Sequence, residues 1–204
     1  MMRIILTFIS IVMISVNIVG AQNNSDAENA ERFVSAVRAV ESKDFLAAVE
    51  LFTVLAEQGE PTSQHNLSIL YFKGLGSPAN YKRALYWAWR ASLGGSEPAL
   101  LLVDEILEIV TDELVGLVSG EIVIELNAKA MAGDRNASER LGKTYYSLFI
   151  EPDLKLAYEW FLISQAFGNE TASEFITEIE DQIEIVDRIQ YQQEATEIFK
   201  DITK

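Results

Sequence analysis

The chain lacks cysteine and almost lacks histidine: among its 204 residues there is no Cys and a single His, His65. The absence of cysteine excludes disulfide bonds, thiolate nucleophiles, zinc–thiolate sites and cysteine-linked lipids. One imidazole cannot supply a multi-histidine metal site. No spacing typical of a catalytic triad, a metal site or a nucleotide-binding loop occurs. The sequence therefore predicts no catalytic residue, no cofactor and no metal, and it favours a binding protein over an enzyme.

Basic residues are scarce as well. Sixteen Lys and Arg stand against 31 Asp and Glu, which gives a formal net charge of −15. A protein that binds nucleic acid needs a basic surface for the phosphates, so we expect no nucleic-acid partner. Because 49% of the residues are hydrophobic, the chain has enough apolar material for a folded core.

Long apolar runs are confined to the first 21 residues. Arg3 is the only charge there, the stretch from Ile4 to Val19 is apolar, and small residues follow up to Ala21. This pattern is typical of a secretory signal peptide, and it predicts cleavage after Ala21 and export to the periplasm or the medium. A retained anchor is the alternative, although the run is shorter than the roughly 20 residues of a spanning helix. Once the signal is removed we expect no stable membrane insertion, and we expect residues 22–27 to form a polar tether.

The strongest signal in the remaining chain is an internal repeat. Four glycines recur at intervals of 36, 38 and 35 residues: Gly59, Gly95, Gly133 and Gly168. A helix-capping residue, an alanine and a large apolar residue precede three of them in the same register. These residues are Asp44, Ala48 and Leu51, then Asn80, Ala84 and Trp87, then Asp153, Ala157 and Trp160. Large side chains four residues apart also follow the first and third glycines. They are Leu67 and Tyr71, then Leu141 and Tyr145.

Each element of this repeat has a physical role. The Asp and Asn side chains can accept the free N–H groups of a first helical turn, and alanine allows neighbouring helices to approach closely. Glycine ends a helix where φ must be positive. The repeat therefore predicts an all-α fold, an α-solenoid of antiparallel helix pairs in one domain over residues 28–204. The predicted repeats are 28–59, 60–95, 96–133 and 134–168.

Four of these segments resemble a known repeat family. Residues 63–76 and 137–145 are similar to the first helix of Sel1-like repeats, and residues 81–87 and 154–160 are similar to the second helix. Sel1-like repeats are related to tetratricopeptide repeats, so the resemblance implies an α-solenoid. It also implies a protein-interaction scaffold, often in the bacterial envelope, and no catalysis. The chain departs from the pattern at Glu125, where other units carry a large apolar residue, and at residues 148–150, where the family prefers Gly-x-Gly.

The periodicity places the helices as follows: 28–41, 45–58, 61–73, 80–93, 97–110, 121–132, 134–148, 154–167 and 170–200. It leaves residues 111–120 irregular, although Leu114 to Val118 could extend a helix. The last helix carries an apolar stripe and an acidic opposite side, and we interpret residues 169–204 as a long C-terminal cap of the repeat stack. The stripe is Phe175, Ile176, Ile179, Ile183, Val186 and Ile189. Self-association through residues 174–200 is the alternative.

Charge contrast points to a binding surface. The segment from Pro61 to Ser96 contains no acidic residue, although the chain as a whole is strongly acidic. Its basic and aromatic side chains are of the types that anchor protein interfaces. The helical period assigns Tyr71 and Trp87 to the core and leaves other side chains at the surface. We therefore predict that a protein or peptide partner with acidic groups contacts Lys73, Lys82, Arg83, Trp89 and Arg90. The alternative is an ordinary repeat whose charges balance its acidic neighbours.

Two further features have simpler interpretations. We interpret His65 as an ordinary histidine on a helix face, because no nucleophile or carboxylate accompanies it in sequence. Acidic side chains cluster between residues 104 and 113 but lack the spacing of a calcium loop, so we expect a solvated acidic face. The sequence thus predicts an exported interaction scaffold or adaptor that could regulate an envelope partner. A self-assembling structural protein is the alternative.

Overall fold

A computed structural model describes residues 25–204 of the chain, and the predicted signal peptide and residues 22–24 of the predicted tether lie outside this part. Within it the protein is all-helical, with ten helices. Helix α1 covers residues 25–41 and thus begins before the expected end of the tether. The others are α2 (Phe45–Glu57), α3 (Pro61–Lys73), α4 (Tyr81–Leu93), α5 (Glu97–Leu107), α6 (Asp112–Met131), α7 (Arg135–Ser147), α8 (Leu154–Ala166), α9 (Ala172–Glu180) and α10 (Ile185–Ile202).

The three predicted helix caps are confirmed. The side chain of Asp44 accepts a hydrogen bond from the backbone N–H of the third residue of α2, and Asn80 and Asp153 do the same for α4 and α8. These bonds satisfy donors that have no partner inside the helix. The cap residue therefore sets the rotation of α4 and α8, and with it the direction of the side chains in their first turns.

The four repeating glycines stand directly after helix ends, as predicted. Their φ angles are 91°, 94°, 88° and 91° for Gly59, Gly95, Gly133 and Gly168. A side chain is penalised in this left-handed region, so glycine is the residue that lets each helix end and the chain reverse.

Packing of the helices follows the repeat. Helix α3 packs against α4 and α7 against α8, and the small residues of the repeat sit at fully buried contacts. Seven repeat residues expose less than a tenth of their surface: Ala48, Leu67, Tyr71, Ala84, Leu141, Ala157 and Trp160. Leu51, Trp87 and Tyr145 are half-buried and pack against the same core. The buried residues form a large cluster that runs along the repeats and a smaller one between α8 and α9, to which Ala157 belongs.

The third helical pair differs from its expected form. Helix α6 begins at Asp112 rather than at residue 121, because Thr111 caps it and two acidic residues occupy its first turn. Its buried residues Val115, Val118 and Ile122 recur at steps of three and four. Helix α5 packs mainly against α4, and α6 packs mainly against α7. The third unit departs from the repeat pattern in sequence, and its two helices pack mainly on the adjacent units rather than on each other.

The expected long C-terminal helix is two helices. Helix α9 ends at Glu180 and α10 begins at Ile185. Arg188 donates a 2.6 Å hydrogen bond to the backbone oxygen of Glu180 and forms a 3.2 Å ion pair with its carboxylate. It therefore supplies a donor to a carbonyl at the C-terminus of α9 and stabilises the turn between the two helices. The break splits the predicted stripe, because Ile179 is buried in α9 whereas Val186 and Ile189 are exposed on α10.

Helix α10 packs against α8 and extends the stack by one further pair. A similar ion pair links corresponding helices at two places: Lys82 of α4 to Glu121 of α6, at 2.8 Å, and Lys155 of α8 to Glu194 of α10, at 2.6 Å. Lys82 and Lys155 occupy equivalent repeat positions, two residues before Ala84 and Ala157. Helix α10 is therefore placed against α8 in the same way as α6 is placed against α4. The C-terminal segment is therefore built as a fifth helical pair.

Candidate functional site

The candidate site is a groove beside the N-terminal half of α4, which we call the α4 groove. Asn80 caps α4 through the N–H of Arg83, at 3.0 Å, so Lys82 and Arg83 stand in the first turn. Tyr86 and Trp87 follow four residues later on the same side of the helix. The cavity measures about 380 Å³, within the usual range for binding pockets. Its lining residues are Thr53, Glu57, Tyr71, Asn80, Lys82, Arg83, Tyr86, Trp87 and Glu121.

Arg83 is held in place by an aromatic side chain. Its guanidinium donates a 2.8 Å hydrogen bond to the hydroxyl of Tyr71 and lies 5.3 Å from the centre of the Tyr71 ring. Among residues 25–204 no carboxylate forms an ion pair with Arg83. Lys82, in contrast, is paired with Glu121. Arg83 therefore offers the groove a positive charge whose direction is fixed and which no described carboxylate neutralises.

Tyr86, which lines the groove, belongs to a hydrogen-bonded network between α4 and α6. The Tyr86 hydroxyl donates to the Glu125 carboxylate at 2.7 Å and accepts from Arg90 at 3.0 Å. Glu125 also contacts the Arg90 guanidinium and accepts from Lys129 at 2.6 Å. Four charged or polar groups are thus satisfied together, so the network fixes the rotamer of Tyr86 and ties α4 to α6.

The protonation states of this network are well separated. Burial would raise the pKa of Glu125, but hydrogen bonds from Lys129 and Tyr86 and the charge of Arg90 outweigh it, so this pKa is lowered. Burial, followed by the hydrogen bond to Glu125, raises the pKa of Tyr86 to about 12. Tyr86 thus stays a neutral donor and Glu125 an anionic acceptor at neutral pH.

Trp87 supplies the apolar part of the groove. Its ring meets the Tyr86 ring edge to face, with centroids 5.0 Å apart. Trp87 is half-buried rather than fully in the core, which corrects its assignment to the interior. A rigid aromatic surface beside a fixed guanidinium is the combination that anchors protein interfaces.

The predicted surface positions of Trp89 and Arg90 are wrong. Trp89 is 4% and Arg90 5% exposed, although the helical period places them away from Trp87. Helix α4 is surrounded by α3, α5, α6 and α7, so only a narrow strip of it reaches solvent. Trp89 packs in the hydrophobic core, and the buried guanidinium of Arg90 forms an ion pair with the Glu125 carboxylate.

The remaining predicted contacts divide between the groove and the outside. Lys82 and Arg83 line the α4 groove, whereas Lys73 is exposed in the last turn of α3 and is not part of the lining. Glu57 and Glu121 also line the groove and were not predicted from the sequence. Glu121 stands one residue before Ile122, the repeat equivalent of Ala84, so aligning the units would have matched it with Arg83.

His65 is half-buried on α3, and burial lowers its pKa, as expected for a neutral histidine packed on a helix face. Asp104, Glu105 and Glu108 are exposed. Residues 25–204 contain no group of three His, Asp or Glu side chains placed to hold a metal ion. Over the same residues, no helix combines the length and apolar composition required to cross a bilayer.

Comparison with known proteins agrees with this architecture. The family model "Sel1 repeat" matches residues 61–96, which comprise α3 and α4, and residues 136–164, which fall in α7 and α8. These two helical pairs are thus similar to Sel1 repeats, and over residues 25–204 the protein is an all-α solenoid of helical pairs. Sel1-like repeats are in general protein–protein interaction modules.

A solved structure is also similar: c5321, a protective antigen present in uropathogenic Escherichia coli strains that displays an SLR fold. The identity is 20% and the TM-score 0.37, over 77% of this chain and 41% of that one. No curated protein matches the chain significantly.

Proposed function

We propose that the protein is an interaction scaffold that holds a carboxylate-bearing segment of a partner protein in the α4 groove. The observation that carries this proposal is Arg83, which Tyr71 orients into the groove and which no described carboxylate neutralises. The half-buried Trp87 beside it supplies apolar contact area. An arginine and a tryptophan at the centre of an interface commonly contribute about 2 kcal/mol or more each.

The rest of the groove supports this role by its rigidity. Tyr86 is fixed by Glu125 and Arg90, and α4 is packed on several sides. A surface that is already ordered loses little entropy when it binds, so more of the contact energy appears as affinity. The net charge of −15 opposes an acidic ligand at long range, but the segment 61–96 carries only basic charges and gives a local attraction.

A capture experiment tests the proposal. The chain from residue 22 onward is immobilised and exposed to envelope extract, and bound protein is quantified by mass spectrometry. Arg83→Glu should reduce the captured partner about tenfold or more, because it replaces an attraction by a repulsion at the centre of the interface. Lys73→Glu makes the same change of charge outside the groove and should leave capture unchanged. Equal capture by both variants would refute the groove as the binding site.

Export belongs to the same proposal. Arg3, the apolar run and the small residues before Ala21 support a secretory signal, and a scaffold of the envelope needs one. Mass spectrometry of the intact protein, recovered from cells that express the whole chain, should give a mass that begins at Gln22. A mass that includes residues 1–21 would contradict cleavage and favour the retained anchor.

A second candidate function is self-assembly through α10. Ile185, Val186 and Ile189 form an exposed apolar patch in its first two turns. Replacing all three by serine should turn an oligomer into a monomer in light scattering if this patch joins copies of the chain. A wild-type chain that is monomeric at high concentration would exclude this candidate.

A further inference from the structure

The α4 groove carries a negative group as well as Arg83. Glu57 projects from the last turn of α2 and lines the same cavity. It is exposed, and among residues 25–204 it forms no ion pair with a basic side chain, Arg83 included. Besides the pair of Lys82 and Glu121, the groove therefore holds one cation and one anion on two different helices that form no ion pair with each other.

The other charged pair in the groove behaves differently. Lys82 and Glu121 lie 2.8 Å apart and neutralise each other, so they contribute little net charge. The charges left to a ligand are those of Arg83 and Glu57. A purely acidic segment would gain from Arg83 but would be repelled by Glu57 and by the acidic chain around the groove. A segment that also carries a cation would gain at both places.

We infer that the segment bound in the α4 groove is one of mixed charge, with a carboxylate on Arg83 and a lysine or arginine of the same segment on Glu57. This inference rests on the proposed function and narrows its partner from acidic segments to mixed-charge segments. Glu57 acts as a selector, because a like charge placed against the wrong ligand discriminates as effectively as a new attraction. The apolar contact with Trp87, which lines the same groove, is common to both kinds of ligand.

Binding of synthetic peptides tests the inference. Eight-residue capped peptides of alanine and leucine carry one glutamate, one lysine, both, or neither, with the two charges placed two, three or four residues apart. Dissociation constants come from NMR titration of the Trp87 indole N–H, which Trp87→Phe assigns. The best mixed-charge peptide should bind the wild-type chain about three- to fivefold more tightly than the glutamate peptide, the ratio expected of one exposed ion pair.

Variants separate the contributions of the two charges. Glu57→Gln should bring the mixed-charge and glutamate peptides to equal affinity. Arg83→Gln should weaken the glutamate peptide to the level of the neutral peptide and the mixed-charge peptide to the level of the lysine peptide. Exchanging the charges with Glu57→Arg and Arg83→Glu together should keep the mixed-charge peptide the tightest binder. Glu57→Arg alone should make the glutamate peptide the tightest binder, and Arg83→Glu alone should make the lysine peptide the tightest binder. Lys73→Gln is the control, and it should change none of the ratios.

The outcomes distinguish the inference from the proposed function. If the glutamate peptide binds through Arg83 but the mixed-charge peptides bind no better, or if Glu57→Gln leaves the ratio unchanged, the inference is wrong and the proposed function stands. If no peptide with a carboxylate binds more tightly than the neutral peptide, or if Arg83→Gln has no effect, both are wrong. Titration shifts at Trp87 that grow with protein concentration alone would assign the groove to a second copy of the chain and overturn both as well.

Discussion

At the scale of single residues, two ion pairs between α4 and α6 differ in how deeply they are buried. Arg90 is 5% exposed and depends on Glu125, whereas the pair of Lys82 and Glu121 is half in solvent. Removing one partner of a buried pair leaves an uncompensated charge, and removing one partner of an exposed pair leaves an ion that water can solvate.

We therefore expect Glu125→Gln to lower the free energy of unfolding by about 2–4 kcal/mol, because Arg90 would keep a neutral acceptor only. Glu121→Gln, the matched change on the same helix, should cost about 0–1 kcal/mol. Urea unfolding followed by circular dichroism measures both. Equal losses for the two variants would contradict the role assigned to Glu125.

A second buried carboxyl lies between α8 and α10. Glu159 is 2% exposed, one of its oxygens has no hydrogen-bond partner, and its nearest cation, Lys155 at 3.8 Å, pairs instead with Glu194 at 2.6 Å. Burial, with the neighbouring Glu194 carboxylate, raises the pKa of Glu159 to about 7. Glu194 shows the opposite effect, since hydrogen bonds from Lys155 and Gln190 lower its pKa to about 2.

The raised pKa of Glu159 predicts a pH-dependent stability. The folded chain binds this proton more tightly than the unfolded chain, so stability falls as the pH rises from about 4.5, the ordinary value, to about 7. Glu159→Gln removes the titration and should stabilise the protein by about 1–3 kcal/mol at pH 8, with little effect at pH 4.5. Urea unfolding at the two pH values tests this. A gain of equal size at both would show that the charge of Glu159 is not its cause.

At the scale of helices, glycine has opposite effects at different places. In α7, a Cβ on Gly142 would stand 2.7–2.9 Å from ring atoms of Phe161 on α8, so the absence of a side chain lets these helices pack. In α6, a Cβ on Gly116 would meet nothing within 4 Å.

Gly142→Ala should therefore destabilise the protein by about 1–3 kcal/mol through overpacking against Phe161. Gly116→Ala should stabilise it by about 0.5–1 kcal/mol, because alanine is the better helix former at an open position. Thermal unfolding of the two variants measures these opposite signs. A stabilising Gly142→Ala would show that α7 and α8 can separate without loss.

Helix boundaries illustrate which elements the sequence could predict. Asp44, Asn80 and Asp153 act as caps through hydrogen bonds to residues three positions away, so a local pattern reveals them. The break before α10 has no glycine or proline to announce it. It depends on Arg188 reaching back eight residues to Glu180, a contact that exists only once the two helices have folded against each other.

At the scale of the whole molecule, α10 closes the repeat stack. Ala195 and Phe199 of α10 belong to the same apolar cluster as Leu162 and Ile163 of α8, and Phe199 also contacts Phe167 with ring centroids 5.0 Å apart. Without this cover the apolar side of α8 would face water, which is the general difficulty at the end of a repeat array.

Deleting residues 181–204 should lower the midpoint of thermal unfolding by more than about 5 °C and cause self-association, because the lost apolar contacts are worth several kcal/mol. Circular dichroism and light scattering measure the two effects. The serine variant of Ile185, Val186 and Ile189 keeps α8 covered and should unfold at the wild-type temperature. A deletion that remained monomeric and equally stable would show that α10 is not the cap.

The α4 groove was only partly predictable from the sequence. Lys82 and Arg83 follow from the segment without acidic residues and from the first turn that Asn80 sets. Glu57 comes from another helix, and no pattern around it marks it as part of the same cavity. Trp89 and Arg90 were misplaced, because a helical period shows which side chains share a face and not which faces the neighbouring helices cover.

The amino-acid sequence by itself determined the helical pairs, since capping, close approach at alanine and positive φ at glycine are requirements of each short segment. The tertiary structure alone decided which side of α4 faces solvent, where the C-terminal helix breaks, and that Arg83 and Glu57 border one cavity. The reason is physical: burial and electrostatic pairing depend on side chains from distant parts of the chain, which meet only when the repeats stack.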